Sequence, residues 1–326
     1  MDAPDPQHRV TVVVATRNRR EELVEHLGRH EGPVIVVDNA STDGSVEAVR
    51  AAHPHVQVVP LPRNVGAVAR TVGVRLARTP YVAFADDDSW WAPGALARAS
   101  AVFDAHPRLG LLAGSIAVGP EERPDPLNAV LAASPLGIPP GCPGPALLGF
   151  VGCGAIVRRS AFLEVGGFDD VVRFPGEEER VALDLFDAGW RLAYVPEIRA
   201  HHHPSPHRET SDRRRTELVR SRVLTALMRR PWRAVGRELR DALRAGRRGA
   251  AACWGPCPGS RPPCGPAAAS PPPPRPRWRC CTPRPPPTRT APTRPPPIPP
   301  PRRTARDPRP PPTPATGPAP TSAWRW

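Results

Sequence analysis

The chain contains no lysine; all 45 of its basic side chains are arginine. Set beside abundant Ala, Gly and Pro, that absence points to GC-rich coding DNA, so arginine count alone marks no phosphate-binding surface. Cysteine is scarce where a fold could use it. Of seven, Cys142 and Cys153 alone precede residue 249, too few for a disulfide framework. The other five (Cys253, Cys257, Cys264, Cys280, Cys281) do not follow paired C-x2-C spacing, and the prolines among them oppose a compact zinc knuckle. No stretch approaches the roughly 18 apolar residues of a membrane span, and no apolar leader opens the chain. The expectation is a soluble, cytoplasmic protein.

Acidic residues also fail abruptly. Residues 249–326 hold 28 of the 50 prolines, 12 of the arginines and a single acid, Asp307. Residues 1–248 hold 33 basic and 30 acidic side chains, so most of the +14 formal charge belongs to the tail. Net charge is therefore no argument for nucleic acid as a partner. Too few apolar side chains remain in 249–326 to offset ordering entropy, which predicts a disordered low-complexity tail. Its composition is what GC-rich DNA read out of frame would give, and we expect a frameshift near 245–255.

The first ninety residues alternate between two periods. Val10–Ala15, Val34–Val37, Val56–Val59 and Tyr81–Ala85 are short apolar runs of the kind buried in parallel sheets. Between them lie helical patterns over about 19–28, 45–53 and 67–78. This alternation predicts an α/β/α sandwich with a mostly parallel sheet. Further on, a helix over 93–106, a strand over 109–118 and a long Pro/Gly-rich loop over 119–148 are expected. A strand over 152–157, a short helix capped by Ser160, a helix over 177–188, a strand over 192–195 and Arg-rich helices over 211–229 and 233–247 complete the pattern.

The fourth run delivers Asp86-Asp87-Asp88 to the carboxyl edge of the sheet, where open α/β sheets place ligands. Three adjacent carboxylates repel one another unless a cation or solvent shares the site, and hard divalent ions favour such oxygens. The alternative is a solvated acidic turn. No G-x-G-x-x-G follows the first strand, which disfavours dinucleotide binding.

Taken in order, VTVVVATRNR, VIVVDNASTDGS, RNVGAVARTVGVRLA, YVAFADDDSW, GGFDD, GEEE, AGWRLAYVPE and the histidines after them resemble family 2 inverting glycosyltransferases of the GT-A fold over about residues 9–205. The resemblance implies a nucleotide-binding half over 9–118, an acceptor-side half over 119–210, and the 211–248 helices as an appendage. It implies a nucleotide-diphospho-sugar donor, a saccharide, glycolipid or small-molecule acceptor, and Mn2+ or Mg2+. Asp88 would ligate the metal, Asp86 would face ribose or metal, Asp87 the sugar, and His201 or His202 would add a ligand. Thr16, Arg17, Asn18, Asp38, Asn64 and Gly66 would line the nucleotide pocket, with Arg70, and less so Arg63, on the diphosphate. Glu178 takes the place of the catalytic base, beside Glu177, and Trp90 and Trp91 offer faces for a sugar or, equally, for packing. Arg180 and Asp184 depart from the pattern of that helix. Peripheral contact with the inner face of a membrane through the Arg-rich helices is a further expectation; the competing one is an inactive nucleotide-binding relative acting through its tail or partners.

Overall fold

The structure, a computed structural model, describes residues 8–172, 174–205 and 211–253. Its first half is β1 (Val10–Thr16), α1 (Arg20–Leu27), β2 (Val34–Asp38), α2 (Ser45–Ala52), β3 (Gln57–Pro60), α3 (Val68–Leu76) and β4 (Tyr81–Ala85). These strands pair in the order β3-β2-β1-β4, all parallel. β1, β2 and β4 are apolar on both faces because both faces are covered, with Val12, Val14 and Tyr81 in one buried cluster and Val13, Val37 and Phe84 in the other. Parallel pairing brings every carboxyl end to the same edge, and the register sets Thr16 beside Asp38.

The second half is β5 (Ser89–Trp91), α4 (Ala95–Ala105), β6 (Leu109–Val118), β7 (Arg123–Pro124), α5 (Pro126–Ala132), a 3-10 turn at Gly152–Gly154, β8 (Ala155–Arg158), α6 (Arg159–Glu164), α7 (Glu177–Asp187), β9 (Arg191–His202), α8 (Ser211–Arg229) and α9 (Trp232–Cys253). The sheet continues β4-β8-β6-β9-β5, with β7 beside β6. β8 runs antiparallel to β4 and β6, β9 is parallel to β6, and β5 is antiparallel to β9.

Several sequence expectations need correction. The 119–148 segment is not all loop: the Asp125 carboxylate accepts from the Leu127 N–H and Pro126 opens α5, a capped helix start. Ser160 lies inside α6, whose cap is Arg158. β9 runs on to His202 instead of ending at Val195, because Pro196-Glu197-Ile198 loop out and pairing with β6 resumes at Ser115 and Arg199. The backbone of α9 continues to Cys253, past the composition break at 249. The rest of the expected tail lies outside the described residues.

Candidate active site

The carboxyl edge of β1, β2 and β4 opens into a cleft of about 1090 Å³. Its floor is knitted by loop polar groups. Asn18, at φ +53°, donates its backbone N–H to Ser41 Oγ (2.9 Å) and accepts the Thr42 N–H at its side-chain oxygen (2.8 Å). Asn39 accepts from the Val65 N–H (3.1 Å) and donates to the Gly66 carbonyl (3.1 Å), while Asn64 accepts from the Gly66 N–H (2.9 Å). Thr16, Arg17, Asn18, Asn64 and Gly66 all border the cleft; Arg63 does not. Asp38 lies behind that wall. One of its oxygens accepts the Ser41 N–H (2.9 Å), and the other is buried with no hydrogen bond among the described residues.

The three carboxylates diverge. Asp86 pairs with Arg70, a residue 7% exposed whose guanidinium also lies 3.6 Å from Glu177. Burial works against the Arg70 charge, but Asp86, Glu177 and Glu178 more than compensate and hold it protonated. Asp87 accepts from Thr16 Oγ1 (3.0 Å); burial, then the charges of Asp86 and Asp88, push its carboxyl up to about 7. Asp88 accepts the Ser205 N–H (3.1 Å) and lies 3.4 Å from His202 Nε2.

Strand alternation separates the histidines, since neighbours on β9 face opposite sides. His202 borders the cleft. His201 faces away, with Nδ1 3.1 Å from Glu122 and its ring stacked on Trp90 at 5.2 Å, which corrects its expected role as a metal ligand. Trp90 is closed on its other side by His26 (5.1 Å) and Arg29 (4.2 Å). Trp91 donates its indole N–H to the Phe84 carbonyl (3.1 Å) and is 2% exposed. Neither tryptophan reaches the cleft, so the sugar-stacking expectation gives way to packing. A neighbour of these groups that the sequence reading missed is Cys153: its sulfur, an Asp86 oxygen and a His202 ring nitrogen lie within 4.8 Å of one another. Carboxylate, imidazole and thiol donors that close together fit a divalent cation.

The opposite wall is the start of α7. Glu178 borders the cleft, while Glu177 is fully buried behind it and serves Arg70 as counter-ion, a correction to its expected place among the catalytic groups. Burial raises both carboxyls; Glu178's charge adds to the rise at Glu177, and Arg70 opposes it at both.

Residues 11–166 match the profile of glycosyl transferase family 2. Over that span the chain carries a glycosyl transferase family 2 domain. It is 32% identical over 205 residues to an N-acetylglucosaminyl-diphospho-decaprenol L-rhamnosyltransferase of Mycobacterium tuberculosis, a match taking in 52% of this chain and 66% of that one. To the pre-mycofactocin glycosyltransferase of the same organism it is 35% identical over 213 residues, 61% of this chain and 44% of the relative. The chain thus spans just under two thirds of the first relative's length and less than half of the second's. Among solved structures, the mannosyltransferase PcManGT of Pyrobaculum calidifontis, in complex with GDP-Man and Mn2+, aligns with TM-score 0.52 and 26% identity over 78% of this chain and 79% of that one. TarS 1-349 of S. aureus aligns at TM-score 0.50 and 18% identity over 67% and 64% of the two chains. The fold is of the GT-A type.

In this chain the GGFDD turn braces α7. Gly167 has φ +68°, and a Cβ there would lie 2.5 Å from Phe162. Its carbonyl accepts from Arg180, which also pairs with Asp169 (3.1 Å) and Asp184. Arg180 is buried, so the residue that departs from the family pattern holds the wall in place. α8 closes the cleft with Glu217, Leu218 and Arg220, which carry no sequence signal beyond helical spacing.

Proposed function

We propose that this chain is an inverting glycosyltransferase, moving a sugar from a nucleotide-diphospho-sugar to an acceptor hydroxyl. The observation that carries the reading is the convergence on one cleft of Asp86, Asp88, His202 and Arg70 from one side and Glu178 from the other. Asp86, Asp88 and His202 would hold Mn2+ or Mg2+, which when bound supplies positive charge to a departing diphosphate. Thr16, Arg17, Asn18, Asn64 and Gly66 take the nucleotide, and Asp38, behind them, holds the Ser41 turn through the Ser41 N–H. Asp87 faces the sugar. Arg70 keeps Asp86 in place and adds charge near the diphosphate.

Glu178 takes the proton of the acceptor hydroxyl as that oxygen bonds to the anomeric carbon. The bond from that carbon to the diphosphate oxygen breaks on the opposite face, and its electron pair leaves on the nucleoside diphosphate. Configuration therefore inverts. On this reading the donor half is 9–118 and the acceptor half 119–210.

For the acceptor, an apolar groove of about 330 Å³ favours a glycolipid. It is lined by Leu127, Val130, Leu131 and Leu147, and it shares Phe150 and Val151 with the cleft. The M. tuberculosis relative is named for an acceptor carried on diphospho-decaprenol. No described helix is long and apolar enough to cross a membrane. Peripheral contact falls instead to α9, where exposed Trp232, Leu239 and Leu243 repeat at helical spacing with Arg233, Arg240 and Arg244 one residue on from each.

The test is nucleoside diphosphate release by the full chain from a panel of nucleotide sugars, with and without Mn2+, beside Asp88→Asn and Glu178→Gln. Metal-dependent release is expected, lost in Asp88→Asn and lowered about 10²–10⁴-fold in Glu178→Gln. No release and no nucleotide binding from folded protein would leave a transferase fold without the chemistry.

A further inference from the structure

Among the described residues Cys153 is the one buried free cysteine, at 1% exposure, and it is buried against the carboxylates. It sits in the 3-10 turn that leads into β8, the strand between β4 and β6. Asp86 follows β4 and His202 ends β9, so the three donors meet because the sheet sets these strand ends side by side. Sequence proximity has no part in it. Metal bonds to sulfur and nitrogen of about 2.0–2.3 Å allow two donors of one ion to stand roughly 4.5 Å apart at most. The observed span of 4.8 Å or less is within a small side-chain adjustment of that limit. Asp88, 3.4 Å from His202 Nε2, is placed to orient the imidazole.

Resting on the metal reading above, we propose that Cys153 is a further ligand of the cleft cation beside Asp86, Asp88 and His202, adding sulfur to the oxygen and nitrogen donors. Thiolate sulfur is a soft donor and selects Zn2+, Cd2+ and Co2+ over Mg2+, whereas carboxylates alone would not. Coordination releases the thiol proton to solvent and places the sulfur out of reach of alkylating reagents. Zn2+ and Cd2+ therefore bind the same place as Mn2+ and compete with it. A cysteine that merely fills space beneath the carboxylates would form no bond from sulfur to the ion and add nothing to its preference for soft cations.

The experiment uses the full chain with Cys142, Cys253, Cys257, Cys264, Cys280 and Cys281 replaced by Ser, so that Cys153 is the remaining thiol. Co2+ is titrated in, its binding counted by equilibrium dialysis, and the near-ultraviolet sulfur-to-cobalt charge-transfer band recorded. Cys153→Ser and Cys153→Ala in that background, checked for folding by circular dichroism, are the controls. One Co2+ with the band is expected, and no band in either control. Cd2+ affinity should fall at least about tenfold in both, and Cd2+ should slow iodoacetamide labelling of Cys153. Co2+ bound without the band, and labelling unaffected by Cd2+, would overturn the thiol ligand while leaving the metal reading intact. No binding of Co2+ or Mn2+ would overturn both.

Discussion

The Arg70 guanidinium, sealed beside Asp86, Glu177 and Glu178, keeps its charge through their combined pull, and it pulls the Glu178 proton off in turn. Burial raises the Glu178 carboxyl, with Arg70 pulling against it. The base we propose, Glu178, would work when ionised, so turnover should rise with pH through a pKa above the ordinary glutamate value of about 4.3. Below that pKa the proton is already in place and the acceptor hydroxyl keeps its own. We expect kcat against pH to show this acid limb and Glu178→Gln to lack it; a wild-type limb at the ordinary glutamate value would contradict the assignment. The strand-end carboxylates were legible in sequence because their signal is local. Cys153 was not, because its partners lie 67 residues before and 49 after it, and nothing in Gly152-Cys153-Gly154 marks that approach. His201 and His202 could be told apart once β9 was seen to extend through both, since a strand has to send adjacent side chains to opposite faces.

At the scale of the element, α3 lies flush on the sheet. Gly73 makes this contact: a Cβ there would sit 2.4 Å from Val13 Cγ1 on β1. Gly73→Ala gains about 1 kcal/mol in helix propensity, but overpacking a buried contact costs about 1–3 kcal/mol. Val13 is fully buried, so the cost should win. The expected outcome is a lower melting temperature for Gly73→Ala, recovered in part when Val13→Ala is added; a rise in melting temperature for the single variant would show that the helix can lift away. The strands of the first half were readable almost residue by residue, because a strand covered on both faces is an unbroken apolar run. The second half was harder. Pro196 ended the pattern of β9 while its pairing went on, and β5 is three residues long, which left its two tryptophans looking like cleft residues.

At the scale of the whole molecule, sequence gave the class of fold and the edge on which the site lies, but not that α8 walls the cleft. Contacts of that kind depend on how helices return to the sheet, and Arg-rich composition does not encode it. α9 carries the stripe Trp232, Leu239, Leu243 beside the stripe Arg233, Arg240, Arg244, each spaced by seven and four residues. Vesicles containing phosphatidylserine should therefore sediment the protein and phosphatidylcholine vesicles should not. The effect should weaken with salt, and Trp232→Ser with Leu239→Ser and Leu243→Ser should abolish it. Equal binding by that triple variant would assign the attraction elsewhere.

The three residues looped out of β9 act as slack in the chain. In a regular strand, losing or gaining one residue turns every later side chain to the wrong face. A deletion or insertion at the exposed Pro196 or Glu197 can be absorbed where the pairing is already interrupted, while Ile198 stays buried in the core and His202 stays turned toward the cleft. Length variation that would silence the site elsewhere on this strand is thus tolerable here, a few residues from the histidine it would otherwise displace.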